Sequence, residues 1–146
     1  MTSPKSAVLL SVKPRFADAI LSGNKTAEVR RRPLDARPGA AVVLYASTPT
    51  KAIVGTARLS HTIVMPPAEA WQYYGETTDI TREEFDAYLF GVSSAVLLLL
   101  QNPQRLDEPI SLEALRSDVD HFRPPQSYRY VAPGDPAPLR ELVSPS

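Results

Sequence analysis

Six short runs rich in aliphatic and β-branched residues constrain the fold of this chain most strongly. They lie at residues 6–12, 25–31, 40–47, 52–64, 93–102 and 127–131. Runs of this kind, bounded by turn residues, are typical of β-strands. The run at 93–102 is apolar on both faces, which favours a central strand. Six such strands at this spacing predict a small, partly open β-barrel.

Helical patterns lie between these runs, at residues 13–23, 66–75, 81–91 and 109–117. Thr81 and Glu84 have the spacing of a capping box, and Ser111 is a candidate N-cap for the last helix. Gly55 interrupts the fourth strand pattern, which predicts a bulge or a barrel bend there. The predicted fold class is therefore α+β, mainly β, with about six strands and flanking helices.

Length and composition predict one globular domain followed by a tail. The chain has 146 residues, of which 43% are hydrophobic and 22% charged, and a chain of this size buries about two-thirds of its unfolded surface. We place the domain at residues 1–132. Residues 133–146 are Pro-rich, and we expect a loose tail with at most one helical turn.

The absence of cysteine indicates a reducing compartment. It excludes disulfides, thiol catalysis and thiolate zinc sites. The sequence has no secretory signal pattern, and its longest aliphatic run, Ala95–Leu100, is far too short to cross a bilayer. We therefore expect a cytoplasmic protein with no membrane partner.

The charges of the chain balance, with 16 basic and 16 acidic residues and a formal net charge of zero. Nucleic-acid binding must therefore come from a local patch, because the molecule as a whole is not a polycation. The glycines are too scattered for a phosphate loop or a dinucleotide turn, and the two histidines lack the spacing of a metal motif. We expect no cofactor and no metal ion.

The stretch Ser22–Arg32 places charges where a strand pattern needs apolar groups. If Ala27 and Val29 face the core, Glu28 and Arg30 share the opposite face. Lys25 lies where the preceding turn meets this strand and can swing toward the same side. The stretch therefore offers two cations and one carboxylate at the mouth of a strand.

Two interpretations of this charged group stay open on the residues alone. The guanidinium of Arg30 suits a phosphate or a base edge, and Glu28 can orient it, accept a hydrogen bond from a base, or act as a general base. The alternative is an exposed salt bridge that contributes under about 1 kcal/mol.

The segment from Gly23 to Arg30 reads G-x-K-x-x-E-x-R, which resembles the motif of the ASCH domain family, whose fold is PUA-like. The likeness is to the bacterial and phage branch of that family and extends to about Val131. It is carried by "LLSVKPRFADAILSGNKTAEVRRR", "LYASTPTKAIVGTARL", the region from Trp71 to Gly91, the following aliphatic strand and "PPQSYRY".

The resemblance implies a small β-barrel whose motif residues line a cleft that binds RNA or a nucleotide-like ligand. The ligand-binding residues it implies are Lys13, Lys25, Glu28, Arg30, Arg31, Ser47, Gln126, Ser127 and Tyr128. Tyr128 is suited to stacking on a base, or else is a barrel aromatic with its hydroxyl at the edge. Arg31 and Arg32 broaden the positive patch, or are simply solvated.

We predict a nucleic-acid-binding protein that prefers RNA or single strands, with no obligate protein partner. A nucleotide-like small molecule is the other ligand class considered. The alternative is an enzyme, with Lys25 and Glu28 as catalytic residues. It would be a ribonuclease in which Glu28 takes the 2′-hydroxyl proton, or an amidohydrolase acting on a modified nucleoside, as in one branch of the superfamily. That branch has a threonine nucleophile where this chain has Glu28, which puts the same acyl chemistry in doubt. Two cations beside Glu28 make it a poor general base for a ribonuclease, so we favour binding over turnover.

Overall fold

A computed structural model describes residues 7–144, and this range contains six β-strands, five α-helices and one 3₁₀ turn. Residues 1–6 and 145–146, including the first residue of the first predicted strand and the end of the predicted tail, lie outside the described residues. In chain order the elements are β1 Ala7–Val12, α1 Pro14–Ser22, β2 Ala27–Arg30, β3 Ala41–Ala46, β4 Ala52–Met65, α2 Pro67–Tyr74, the 3₁₀ turn Gly75–Thr77, α3 Arg82–Tyr88, β5 Ala95–Ser111, α4 Leu112–Asp118, β6 Tyr128–Tyr130 and α5 Ala137–Val143.

All six strands form one curled sheet in the order β2-β5-β4-β3-β1-β6. Only β1 and β3 pair in parallel, and every other neighbouring pair is antiparallel. The motif strand β2 is thus one edge of the sheet, and β6 is the other. The predicted α+β, mainly β class with six strands is confirmed.

Strict alternation along the strands divides the core between the two faces of the sheet. On β1, Leu10 packs on the face covered by α1, while Leu9 packs on the opposite face under α4 and α5. On β5, Leu98 joins the α1 face and Leu97 packs on the opposite face under α2 and α3. Both faces are covered, so β3 and the first half of β5 are buried and mostly aliphatic on both faces.

The helix signals read from the sequence are present. The hydroxyl of Thr81 accepts from the backbone N–H of Glu84, and the Glu84 side chain accepts from the Thr81 N–H, completing the capping box of α3. The hydroxyl of Ser111 caps α4 by accepting from Ala114. No helix within residues 7–144 is long and apolar enough to cross a membrane.

Gly55 lies at a bulge in β4, as predicted. Its surroundings leave no room for a side chain. The pairing of β4 shifts register on both sides of this residue. A β-carbon at Gly55 would lie 2.5 Å from the Leu21 side chain and 2.6 Å from the carbonyl oxygen of Gln104. The glycine therefore lets α1 and β5 approach the bent strand closely.

Two predictions about element lengths are wrong. Strand β5 continues to Ser111 rather than ending at Asn102, because its polar second half pairs with the first half of β4. The predicted loose tail instead forms the seven-residue helix α5. Its Leu139 is fully buried in the same core cluster as Phe122, so tertiary packing orders this Pro-rich segment.

Candidate functional site

Strand β2 places the motif carboxylate and guanidinium on the α1 side of the sheet. Glu28 lies opposite Leu98 of β5, and Arg30 lies opposite Val96, so all four share one face. Val29 points to the other face and packs under α2 and α3. The alternation predicted from the sequence is therefore present, but Glu28 and Arg30 are only 5% and 8% exposed rather than solvated.

The turn before β2 directs Lys25 inward. Gly23 ends α1 in a left-handed conformation, with φ of 89°, which favours glycine. Two residues later the Lys25 side chain is buried, with 2% of its surface exposed. Its Nζ donates to the carbonyl oxygen of Thr78 and lies 4.8 Å from the centre of the Phe16 ring. Lys25 thus joins α1, β2 and the segment after the 3₁₀ turn.

Glu28 is held between the two motif cations. Its Oε1 lies 3.4 Å from Nζ of Lys25, and its Oε2 lies 2.8 Å from Nη2 of Arg30. Burial lowers the pKa of Lys25 below its ordinary value of 10.5, and the charge of Glu28 opposes that shift. All three side chains are buried, so the exposed-salt-bridge interpretation does not describe them.

The Arg30 guanidinium also joins the two edges of the sheet. Nη1 donates to Oγ of Ser127, immediately before β6, at 3.1 Å, and Nη2 donates to the carbonyl oxygen of Ser11 in β1 at 2.9 Å. Its Nε–H group is buried and has no hydrogen-bond partner among residues 7–144. Arg30 therefore closes the partly open barrel on the side where the charges collect.

A cleft of about 510 Å³ lies over these three charges. Helices α1 and α3 form its sides, and β2 and the end of β1 form its floor. Its apolar lining residues are Val12, Phe16, Val29, Ile80 and Ala87, and its polar ones are Ser11, Lys13, Arg15, Lys25, Glu28, Arg30, Glu84 and Tyr88. The volume lies within the range of small-ligand sites, about 300–1,000 Å³.

An ion pair joins the two helices at the mouth of the cleft. Arg15 of α1 pairs with Glu84 of α3, and both side chains are exposed. The hydrogen bond from the Thr81 backbone N–H lowers the pKa of Glu84, and the contact with Arg15 lowers it further. Lys13 is exposed at the start of α1. The mouth of the cleft therefore carries two accessible cations and one carboxylate.

Tyr88 is a cleft residue that the sequence analysis missed. Burial raises the pKa of its hydroxyl, the charge of Arg30 opposes that shift, and the charge of Glu28 adds to it. Helical spacing could have indicated this residue. Glu84, Ala87 and Tyr88 are three and four residues apart, so they share one face of α3. All three line the cleft.

The remaining predicted site residues lie at different distances from the cleft. Arg31 is at its rim, where Nη1 donates to the carbonyl oxygens of Tyr88 and Phe90. Ser127 reaches the site through Arg30. Residues outside the lining are Ser47, Gln126 and Tyr128, the last of which packs against the core and donates its hydroxyl to the Pro33 carbonyl.

Within residues 7–144, no group of three or more histidine, aspartate and glutamate side chains could hold a metal ion. Thr26, the hydroxyl nearest the motif lysine in sequence, is exposed, and its backbone N–H donates to Thr77. It does not line the cleft. The site therefore offers carboxylate, ammonium and guanidinium groups rather than a hydroxyl from the motif strand.

Comparison with known proteins finds relatives along nearly the whole chain. A family model described as "Domain of unknown function (DUF365)" matches residues 5–117. An ASCH domain-containing ribonuclease of Zymomonas mobilis is 33% identical over 141 residues, covering 96% of this chain and 94% of that protein.

Solved structures give the same result for the fold. The crystal structure of ASCH from Zymomonas mobilis has a TM-score of 0.87 at 31% identity, covering 97% of this chain and 98% of that one. The N-terminal domain of Staphylothermus marinus McrB, at 12% identity, has a TM-score of 0.58 over 95% of this chain and 93% of its own, and so shows likeness of fold alone. The predicted small barrel with flanking helices is confirmed.

Proposed function

This chain belongs to the ASCH domain family, and to the family described as a domain of unknown function (DUF365), and from that premise we propose that it binds RNA. One unpaired nucleotide enters the cleft between α1 and α3. Its base lies over the group formed by Lys25, Glu28 and Arg30, and its phosphate stays at the mouth.

The observation that carries this proposal is the burial of a hydrogen-bonded ion cluster beneath apolar walls. Lys25 and Arg30 are engaged with Glu28 and with carbonyl oxygens, so they are poorly placed to wrap a phosphate. The walls instead suit a flat heterocycle. Glu28 lines the cleft and supplies an acceptor for a donor on the edge of a nucleobase.

The mouth of the cleft supports the placement of the phosphate. Lys13 and Arg15 line it and are exposed, so their charges attract an anion without a large desolvation cost. The phosphate competes with Glu84 for Arg15, since that carboxylate is its present partner. The chain has zero formal net charge, so binding depends on this local patch rather than on a general attraction for polyanions.

RNA is favoured over other ligands by the likeness to a protein named a ribonuclease. The test is a fluorescence titration of short single-stranded RNA, DNA of the same sequence and the four free nucleosides, run in parallel. We expect RNA to bind most tightly and its affinity to fall with salt, with a log–log slope of about −0.7 for each phosphate contacted. An affinity that is flat from low to high salt, or equal for RNA and DNA, contradicts the proposal.

A second candidate function is ribonuclease activity at the same cleft. It is favoured by the printed name of the Zymomonas mobilis relative and by the lowered pKa of Lys25, which brings its proton loss closer to neutral pH. In this mechanism a phosphate displaces the present contacts of Lys25 and Arg30. Glu28 accepts the proton of a 2′-hydroxyl, and the 2′-oxygen bonds to phosphorus to give a 2′,3′-cyclic phosphate. Lys25 gives its proton to the departing 5′-oxygen, while Arg30 stabilises charge on the phosphorus oxygens. The group that holds a base in the first proposal would then hold the scissile phosphate instead.

RNA cleavage without added metal separates the two candidates. A binding protein leaves a labelled single-stranded RNA intact, whereas an enzyme cleaves it and loses that activity in Glu28→Gln. The fold of the variant is checked by circular dichroism. Cleavage that persists at full rate in Glu28→Gln points to a contaminating nuclease and removes this candidate.

A further inference from the structure

We propose that Phe90 and Arg31 form a second nucleotide site at the rim of the cleft, where the base next to the bound one stacks. This inference rests on the proposed function, because it supplies the neighbour of a nucleotide already held between α1 and α3. It specifies the ligand further, as a strand of at least two nucleotides rather than a free nucleoside.

Phe90 is a large apolar side chain left almost entirely in water. It is 83% exposed, more than the other exposed large hydrophobic residues among residues 7–144. It lies two residues beyond Tyr88, which lines the cleft. A strand that leaves the cleft along the end of α3 can stack its next base on this ring.

The backbone under this ring is fixed at three points. The N–H of Phe90 donates to the carbonyl oxygen of Ala87, and its own carbonyl oxygen accepts from Nη1 of Arg31 at 3.0 Å. Gly91 follows with φ of 88°, a conformation that favours glycine and turns the chain away. Leu89, which precedes Phe90, is buried in the core cluster under α2 and α3. The ring is therefore presented from a rigid base.

Arg31 adds charge beside the backbone that carries this ring. It follows Arg30 directly in the chain, and its Nη1 bonds the carbonyl oxygens of Tyr88 at 2.7 Å and of Phe90 at 3.0 Å. Among residues 7–144 its Nε and Nη2 make no hydrogen bond, so these donors remain for a phosphate oxygen. A ring for a base with a cation for its phosphate is the arrangement found in single-strand-binding grooves.

A protein partner fits this surface less well than a nucleotide. Specific protein interfaces bury on the order of 1,200–2,000 Å² around several anchors, whereas Phe90 stands beside an arginine and a polar helix end. Tyr73 on α2 provides the comparison. It is 67% exposed, but the surface that it lines carries three carboxylates, Glu76, Asp79 and Glu84, against one cation, Arg15. The balance of charge there is unfavourable to a phosphate.

The test compares ligands that differ only in length. Wild type, Phe90→Ala, Phe90→Trp and the control Tyr73→Ala are each titrated with the four nucleoside 5′-monophosphates and with a single-stranded RNA hexamer of mixed sequence. We expect Phe90→Ala to weaken hexamer binding about tenfold, the value of one lost base stack. We expect it to leave the monophosphates unchanged. Phe90→Trp and Tyr73→Ala should bind the hexamer like wild type.

Each other outcome has a definite meaning. A hexamer that binds Phe90→Ala as tightly as wild type overturns the rim site and leaves the proposed function standing. Equal losses for the hexamer and the monophosphates place Phe90 within the cleft and also overturn it, as does a Phe90→Trp variant as weak as Phe90→Ala. Wild type that binds none of these ligands overturns the proposed function together with the rim site.

Discussion

Arg30 and Ser127 hold together the two edges of the sheet. Nη1 of Arg30, at the end of β2, donates to Oγ of Ser127, just before β6, over 3.1 Å. These strands are the first and last of the sheet and share no backbone hydrogen bond. A motif residue that faces the cleft therefore also closes the barrel around it.

The first prediction concerns Arg30→Lys. Lysine keeps the charge but cannot reach Ser127, Ser11 and Glu28 together, because it has one donor group instead of a planar fork. We expect the free energy of unfolding to fall by about 1–3 kcal/mol in urea denaturation, from buried acceptors left unpaired.

The matched control for this variant is Arg58→Lys. Arg58 is exposed and donates to one carbonyl oxygen, that of Gly39. Its replacement should change stability by no more than about 0.5 kcal/mol. Equal losses in the two variants would show that Arg30 does not close the sheet.

Glu28→Gln tests the ion cluster. Without the carboxylate, Lys25 and Arg30 are two buried cations with no counter-charge, so we expect a loss of about 3–5 kcal/mol in the free energy of unfolding. Asp86→Asn, which breaks the exposed pair with Arg82, should cost no more than about 1 kcal/mol. A loss in Glu28→Gln as small as in Asp86→Asn would mean that Glu28 is solvated.

The buried lysine predicts a pH dependence of stability. Because burial lowers the pKa of Lys25 in the folded protein below 10.5, the unfolded chain binds more protons between the lowered value and 10.5. The free energy of unfolding should therefore rise with pH in that window, by at most about 1.4 kcal/mol per pH unit. Below the lowered pKa this contribution is flat.

Urea denaturation of wild type and Lys25→Met between pH 7 and 9.5 measures that contribution. The difference between the two stability curves should grow in favour of wild type as the pH rises. The tyrosines are the same in both proteins, so their contribution cancels in the difference between the two curves. Curves that run parallel would show that Lys25 titrates as an exposed lysine does.

Arg15→Gln tests the phosphate site at the mouth of the cleft. Removing one cation that contacts phosphate should make the log–log salt dependence of RNA binding shallower by about 0.7. Arg58→Gln, an exposed arginine outside the cleft lining, should leave the slope as in wild type. A slope unchanged in Arg15→Gln would place the phosphate elsewhere.

The sequence was sufficient for the number and order of the strands along the chain and for the face of the motif, but not for the length of β5. Alternation in β2 correctly separates Val29 from Glu28 and Arg30, because side chains along a strand repeat with a period of two. The capping box of α3 depends on only four consecutive residues. Local patterns of this kind need no knowledge of the rest of the chain.

The sequence was insufficient where a residue depends on distant partners. Lys25 is buried because Thr78 and Phe16 come to it through the tertiary fold, and no local pattern encodes that meeting. Ser127 reaches the site only through closure of the sheet. Leu139 was assigned to a loose tail because Pro-rich composition is typical of disorder. The core cluster that buries it forms only in the tertiary fold.

Blocking the cleft is the most direct test of RNA binding at this site. Ala87 is exposed on α3 and lines the cleft, so Ala87→Trp fills the space for a base without disturbing the core. Ala114→Trp, at an exposed position of α4, is the matched control. In fluorescence titrations with a short single-stranded RNA, we expect Ala114→Trp to bind like wild type and Ala87→Trp to bind at least about tenfold more weakly. RNA that binds Ala87→Trp as tightly as wild type would contradict the cleft as the binding site.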